Sequence, residues 1–222
     1  MVLENMKNYK KVDPLDICDV LSKVENSFNI KLDNESLMQA DSYAKLYDLI
    51  VSKISHEHVD TCTTQQAFYK LRCAIANVTA IEKCSITPHT KLSKLFPKDD
   101  RLKLIGQIDQ ELGFETNLLQ PKQWAVSLFG LLAVVFFFMF FYNWLAGAVG
   151  FLASVAAFKL VGKFGKEIRL KTVGDLASKI SRESYLKVRR NSETINRNEI
   201  EQKVRELFLN DTKLDPILLL RS

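Results

Sequence analysis

Three side chains that could bind a metal ion lie within seven positions of one another. His56, His58 and Cys62 carry the nitrogen and sulfur ligands that Zn²⁺ prefers. A fourth ligand would come from one of three later residues, Cys73, Cys84 or His89. The spacing His-x-His-x3-Cys matches no standard zinc finger, so a polar linker is the favoured interpretation. We therefore expect no metal site here.

A second candidate for chemistry is the pair of adjacent carboxylates at Asp99 and Asp100. Such a pair could serve in acid–base catalysis, but lysine and arginine flank it and a helical pattern follows. Acidic residues at the N-terminus of a helix are favoured by the helix dipole, so we interpret the pair as a solvated helix start. The sequence contains no glycine-rich phosphate loop, nucleophile elbow or Ser-His-Asp pattern. We therefore expect no catalytic residue, no cofactor and no enzymatic activity.

An uncharged segment dominates the middle of the 222-residue chain. From Trp124 to Phe158 there is no charged side chain and no histidine. As a single helix these 35 residues would span about 52 Å at 1.5 Å per residue, whereas the hydrocarbon core of a bilayer is about 30 Å thick. The turn-forming Asn143 stands between Tyr142 and Trp144. The pattern predicts a transmembrane helical hairpin over residues 124–162, with membrane lipids as partners.

The charge distribution predicts which side of the membrane the two flanks occupy. Residues 1–122 carry 16 basic and 17 acidic side chains, and residues 159–222 carry 15 and 9. Because basic residues flank the uncharged segment at both ends, the positive-inside rule places both soluble parts in the cytoplasm. The excess of positive charge then needs no nucleic acid to explain it. The stretch from Arg182 to Arg197 could contact nucleic acid, but an exposed linker is the favoured interpretation.

The cysteines and the N-terminus agree with a cytoplasmic location. Residues 1–19 are charged throughout and contain no apolar run, so we expect no cleavable signal peptide. The four cysteines have irregular spacing that is typical of reduced thiols rather than of a disulfide framework. These residues are Cys18, Cys62, Cys73 and Cys84.

The remaining sequence has the spacing of short amphipathic helices and predicts an all-α fold. Apolar residues recur at helical intervals in two clear stripes. The stripes consist of Ile17, Val20, Leu21, Val24 and Phe28, and of Leu102, Leu104, Ile105, Ile108 and Leu112. Ser42 and the pair Thr172 and Asp175 are placed to cap two further helices, the pair as a capping box.

One N-terminal segment begins with Asp13-Pro14-Leu15-Asp16. It continues with Val24, Glu25, Phe28, Ile30 and Leu32 and then with residues 42–54. This segment resembles the second half of an acyl carrier protein. In that family an Asp-Ser-Leu-Asp motif opens the second helix, and its serine carries phosphopantetheine. Pro14 occupies the position of that serine and has no hydroxyl group to esterify. The resemblance therefore implies a carrier-like helical bundle that binds no cofactor.

A second and looser copy of the same pattern follows. Residues 65–80 resemble a carrier first helix, residues 86–96 the long loop, residues 102–114 the second helix and residues 172–180 the last helix. The nearest serine, Ser93, lies in the loop and lacks the flanking Asp and Leu, so this copy also lacks an attachment site.

The tail of the chain resembles the half that the N-terminal segment lacks. Residues 198–209 with Leu214-Asp215-Pro216 are similar to a carrier first helix and the start of its loop. An apolar stripe in this helix is expected to pack on the N-terminal helices, either within one chain or between two chains as a homodimer. The stripe consists of Ile200, Val204, Leu207 and Phe208.

These patterns predict a division of the chain into four parts. They are a carrier-like half-domain (1–60), a second carrier-like bundle (61–123 with 165–190) that the transmembrane hairpin (124–162) interrupts, and a linker with a C-terminal helix (191–222) that completes the N-terminal bundle.

The resemblance implies a function without catalysis. Carriers present an acidic second helix to basic surfaces of their enzymes, which predicts a docking or scaffold module with a basic protein partner. The corresponding partner-binding residues are Asp13, Asp16, Asp19 and Glu25. The alternative is a protein that receives acyl chains at the membrane surface, and an enzyme comes third.

Overall fold

A computed structural model of the chain describes residues 14–40, 42–163 and 167–211. Within these ranges the fold is a set of eleven α-helices joined by short loops, and a single 3₁₀ turn covers Lys83–Ser85. The helices are α1 (Pro14–Phe28), α2 (Asn34–Gln39), α3 (Tyr43–Lys53), α4 (Thr63–Thr79), α5 (Leu92–Leu95), α6 (Arg101–Leu112), α7 (Gln123–Met139), α8 (Trp144–Lys163), α9 (Val173–Glu183), α10 (Tyr185–Val188) and α11 (Arg197–Asp211).

Four two-residue strands form two small pairings between distant parts of the sequence. They are β1 (Glu57–His58), β2 (Leu119–Gln120), β3 (Glu167–Ile168) and β4 (Thr194–Ile195). Strands β1 and β4 pair in parallel, with Glu57 opposite Thr194. Strands β2 and β3 pair antiparallel, with Leu119 opposite Ile168.

The chain divides into two compact units. The first unit contains residues 1–73 and 176–222, and the second contains residues 74–175. The predicted division instead assigned residues 61–73 and 176–190 to the second bundle. Tyr185 and Leu186 lie in the same core as α1 and α3, because α10 packs on α1.

The core of the first unit joins the two ends of the chain. Helices α1 and α11 pack directly on each other. The apolar stripe of α11, for which the sequence predicts packing on the N-terminal helices, is at most 1% exposed. It shares one cluster with side chains from α1, α2 and α3. The cluster includes Ile17, Val20, Val24, Phe28, Leu37, Leu46, Ile50, Ile200, Val204, Leu207 and Phe208.

Side-chain caps define where the short helices of this unit begin. Asp33 Oδ1 accepts a hydrogen bond from the backbone amide of Ser36 at 2.8 Å, and Lys53 Nζ lies 3.0 Å from Asp33 Oδ2. These hydrogen bonds, first from Ser36 and then from Lys53, hold the pKa of Asp33 well below its usual range. Ser42 caps α3 by accepting from the amide of Lys45 at 3.5 Å, which confirms the predicted helix start.

The second unit has its own buried apolar side chains and clear helix boundaries. Gly113 ends α6 with φ +77°, a conformation that glycine adopts without a steric penalty. The predicted capping box is confirmed, because the amide of Thr172 donates to Asp175 at 2.9 Å and the amide of Asp175 donates to Thr172 Oγ1 at 3.1 Å. The buried side chains include Ile75, Ile86, Leu92, Phe96, Ile105, Ile108, Leu112 and Val173.

The uncharged segment forms the helical pair α7 and α8, but the predicted transmembrane hairpin is wrong. In the described ranges no helix combines the length and the apolar character needed to cross a bilayer. Helix α7 has 17 residues and spans about 26 Å. In α8 the uncharged part ends at Phe158, after 15 residues and about 22 Å, because Lys159 follows. Both lengths are below the roughly 30 Å of a hydrocarbon core.

This finding also overturns the predicted location. The prediction of an integral membrane protein with both flanks in the cytoplasm required two crossings between residues 124 and 162. The break itself lies where the sequence predicts it, at Asn143. The break lies at Phe140–Asn143, and the Asn143 side chain begins α8 by accepting from the amide of Ala146 at 3.2 Å.

Close helix–helix packing holds the α7–α8 pair together. A Cβ atom added at Gly150 would overlap the ring of Phe136, and one added at Gly147 would overlap the backbone of Phe140. The absent side chains therefore allow the two helices to approach closely. Many outward apolar side chains of the pair stay exposed, among them Leu152 at 67%.

Candidate functional site

The first turns of α1 present an acidic surface on a helix whose other side is buried. Asp16 and Asp19 are three positions apart, so they lie on one face of the helix, and both are exposed. Between them, Ile17 is buried at 2% exposure and Cys18 is exposed. Of the four predicted partner-binding residues, these two carboxylates have the geometry of a contact surface.

The other two predicted partner-binding residues differ from this arrangement. Asp13 lies outside the described residues. Glu25 is half-buried, and its Oε1 accepts a hydrogen bond from the backbone amide of Leu32 at 2.7 Å. Glu25 therefore stabilises the loop that follows α1. Pro14, at the predicted position of the carrier serine, is the first residue of α1, where a missing amide hydrogen has no cost.

The exposed carboxylates of α1, Asp16 and Asp19, lie at its beginning. Further along the helix, Lys23 lies close enough to Lys179 to disfavour its positive charge. Burial, which is the larger effect, lowers the pKa of Lys179, and the nearby Glu183 at 3.7 Å partly offsets both effects. A partner that approaches α1 would therefore meet negative charge at one end only.

Residues 182–185, which are distant in sequence, hold the C-terminal end of α1 in place. The hydroxyl of Ser27 accepts a hydrogen bond from the amide of Tyr185 at 3.0 Å and donates to the carbonyl of Arg182. The rings of Phe28 and Tyr185 pack with centroids 5.1 Å apart. These contacts give the acidic surface a rigid base.

Arg189 is a buried centre of hydrogen bonds in the same unit. Only 4% of the residue is exposed, so the expectation of an exposed linker is wrong at this position. Its guanidinium donates to Thr63 Oγ1 at 2.7 Å, to Thr61 Oγ1 at 3.0 Å and to Thr194 Oγ1 at 3.3 Å. It also donates to Tyr185 and to the carbonyls of Val59 and Thr61. Arg189 thereby joins the segment before α4 to β4.

The residues considered for metal binding and catalysis do not form a site. His58 lies in β1, where its Nδ1 accepts from the amide of Arg197 at 3.2 Å, and Cys62 is exposed. Throughout the part of the chain that the structure describes, no three His, Cys, Asp or Glu side chains are grouped to hold a metal ion. Asp100 precedes the first residue of α6, as expected of a helix start, and Asp99 and Asp100 are both exposed.

Comparison with known proteins gives no relative. No family model matches the sequence, and no curated protein or solved structure is similar to it.

One group of basic residues was not identified from the sequence. In the second unit, six basic side chains line one open cleft. They come from three separate stretches of sequence, which are residues 91–101, Lys122 and residues 169–171. In the sequence only the second and third stretches were noticed, because they flank the uncharged segment. The six are Lys91, Lys98, Arg101, Lys122, Arg169 and Lys171.

Proposed function

We propose that this chain is a non-catalytic, carrier-like docking module that binds a protein partner with a basic surface through the start of α1. The observation that carries the proposal is the exposed pair Asp16 and Asp19 on a helix whose opposite face is fully buried. Charges in this position steer and select a partner without taking part in folding.

The helix arrangement supports the carrier-like part of the proposal. The resemblance assigns α11 as the first carrier helix, α1 as the second and α3 as the last. In the first unit these three helices contribute to one apolar cluster. A carrier-like bundle in this chain would thus be circularly permuted, with its first helix supplied by the C-terminal part of the sequence.

The absence of an attachment residue supports a role without catalysis. Pro14 has no nucleophilic oxygen, so no phosphopantetheine ester can form at this position. The family's acidic second helix remains, which would preserve the recognition surface of a carrier while removing its cargo. The chain would then act by occupying or recruiting a basic partner.

A second candidate function, acyl-chain binding, is favoured by a groove in the second unit. The groove runs beside α6 and has a volume of about 760 Å³. Its apolar lining includes Leu102, Ile105, Phe114, Leu118 and Leu119. In the first unit, by contrast, the large side chains of Phe28 and Tyr185 fill the core. An apolar chain would therefore bind beside α6.

Affinity purification of the full chain, followed by mass spectrometry of bound protein and lipid, tests both candidates. The variant Asp16→Lys with Asp19→Lys should lose a basic partner protein. The control Glu82→Lys with Glu193→Lys makes the same change in charge at two other exposed carboxylates and should keep that partner. Equal loss in both variants would contradict docking through α1. Recovery of a bound acyl lipid without a protein would instead favour the second candidate.

A further inference from the structure

The basic cleft in the second unit is a half-open depression in the surface. Its volume is about 670 Å³, which lies within the range of pockets that bind small organic molecules. Six basic side chains and a single carboxylate, Glu167, contribute to its lining, so these groups carry a formal charge of +5. Such a concentration of like charges in one concave surface is unfavourable while the cleft is empty, and an anion would relieve it.

Backbone contacts hold the walls of the cleft in place. Strands β2 and β3 pair with Gln120 opposite Glu167, which fixes the segment that leads to Arg169. The amide of Leu92 donates to the carbonyl of Lys171 at 3.0 Å, and Lys91 forms an isolated bridge with Thr172. The basic side chains therefore project from segments joined by hydrogen bonds.

Arg101 is a buried member of this basic lining. Only 7% of the residue is exposed, and its Nε and Nη2 donate to the carbonyl of Phe96 at 3.1 and 3.0 Å. The guanidinium is thus buried and oriented by the protein while it still lines the cleft. A planar guanidinium held in this way suits the oxygen atoms of a phosphate group.

Two helix N-termini add to the positive potential. Arg101 is the first residue of the 12-residue α6, and Lys122 directly precedes the 17-residue α7. The start of a helix carries a partial positive charge and exposes unpaired amide groups.

Acidic groups near the cleft offset part of this potential, because the carboxylate of Asp175 attracts Lys171. Asp175 receives hydrogen bonds from the amides of Lys171 and Thr172. Asp99 and Asp100 are exposed before α6 and do not contribute to the lining described for the cleft.

We propose that this cleft is a binding site for a phosphate-bearing ligand, in which Arg101, Lys98 and Lys122 contact a phosphate or diphosphate group. The cavity is larger than one phosphate ion, so the organic part of the ligand also has room. The phosphate can belong to a soluble organic phosphate or to a lipid headgroup. A concave site of this size favours either of these over a nucleic-acid backbone, which needs an extended basic stripe.

Isothermal titration of the full chain with inorganic pyrophosphate tests the site. The variant Lys98→Gln with Lys122→Gln should weaken binding about tenfold, because two charge-assisted contacts are lost. The control Lys94→Gln with Lys103→Gln removes the same charge from two exposed lysines of the same unit and should change the affinity less than about twofold. All four lysines are exposed, so both variants should fold, which far-ultraviolet circular dichroism would verify.

Two further measurements identify the source of the phosphate. Vesicles of phosphatidylcholine with phosphatidic acid that bind the chain, and that pyrophosphate displaces, would support the site with a lipid headgroup as its ligand. Binding of pyrophosphate without binding of these vesicles would support it with a soluble phosphate. Three results would overturn the proposal: no binding of pyrophosphate, equal weakening in both variants, or tight binding of a short nucleic-acid duplex that pyrophosphate cannot displace.

Discussion

The rings of Tyr43 and Phe208 pack edge to face with their centroids 5.8 Å apart, although 165 positions of sequence separate the two residues. Tyr43 is the first residue of α3, and Phe208 lies near the end of α11. Their contact joins the N-terminal and C-terminal parts of the chain in one core. The stability of the acidic surface on α1 should therefore depend on α11.

Replacing Val204 by Asp should unfold or strongly loosen the first unit. Val204 is fully buried, so the variant loses apolar burial and places a carboxylate in the core. We expect the free energy of unfolding to fall by at least about 3 kcal/mol. Limited proteolysis should then cut within α1 and α3. The control Gln202→Asp introduces the same side chain at an exposed position of α11 and should remain resistant. Equal protection of α1 in both variants would show that α11 is dispensable.

Removal of the Arg189 guanidinium should lower the free energy of unfolding more than removal of the neighbouring Arg190 guanidinium. Arg189→Met leaves the buried hydroxyl groups of Thr63 and Thr194 without this donor, which we expect to cost about 2–4 kcal/mol. Arg189→Lys should not restore stability, because an ammonium group cannot reach all of these acceptors. Arg190→Met is the matched control, since Arg190 is exposed and its backbone hydrogen bond to Gln66 persists. Chemical denaturation of the three variants would reveal the difference, and equal midpoints for Arg189→Met and Arg190→Met would refute it.

The depressed pKa of Asp33 predicts a loss of stability in acid. Because the folded state favours the carboxylate, its contribution is present above the ordinary pKa of 3.8 and is lost as the pH falls toward the lower folded value. Asp33→Asn can still cap α2 but cannot titrate. We expect the free energy of unfolding to decline less steeply below pH 3.8 in the variant than in the wild type. Parallel curves from denaturation at several pH values would contradict this interpretation.

Gly147 and Gly130 should respond in opposite ways to an added methyl group. In Gly147→Ala the new Cβ would overlap the backbone of Phe140, which cannot move aside, whereas no atom lies within 4 Å of a Cβ at Gly130. Gly147→Ala should therefore separate α7 from α8, and Gly130→Ala should be neutral or stabilise α7 by about 0.5–1 kcal/mol. Trp124 and Trp144 are the two tryptophans of the chain and lie in the first turns of α7 and α8, so tryptophan fluorescence during thermal unfolding reports on this pair. An unchanged transition in Gly147→Ala would be incompatible with the close approach.

The helices could be predicted from the sequence where local patterns determine them. The apolar stripe of α1, the Ser42 cap and the box formed by Thr172 and Asp175 each depend on residues within one or two helical turns. The same local logic failed between residues 124 and 162. The break at Asn143 was predicted correctly, but the apolar lengths were overestimated, because α7 ends at Met139 and Lys159 ends the uncharged part of α8.

The contacts between distant segments could not be predicted from local sequence patterns. The hydrogen bonds of Arg189 join residues about 130 positions apart, so the sequence around Arg189 resembles an exposed basic linker. The basic cleft likewise combines residues from positions 91 to 171. Glu25 belongs to the acidic series in the sequence, but its hydrogen bond to Leu32 shows that one acidic residue serves the fold. Of the four predicted partner-binding residues, Asp16 and Asp19 are exposed, and their docking role stays a prediction.

Site-directed cross-linking from Cys18 tests the docking role of α1 most directly. Cys18 is exposed between Asp16 and Asp19, and replacement of Cys62, Cys73 and Cys84 by serine leaves it as the single attachment point for a thiol-linked photo-cross-linker. In cell extract we expect one specific adduct with a basic protein, identified by mass spectrometry, and its loss after Asp16→Lys with Asp19→Lys. A matched chain that keeps only Cys84, in the second unit, should not form this adduct. The same adduct from both positions, or its persistence after the charge reversal, would contradict docking through α1.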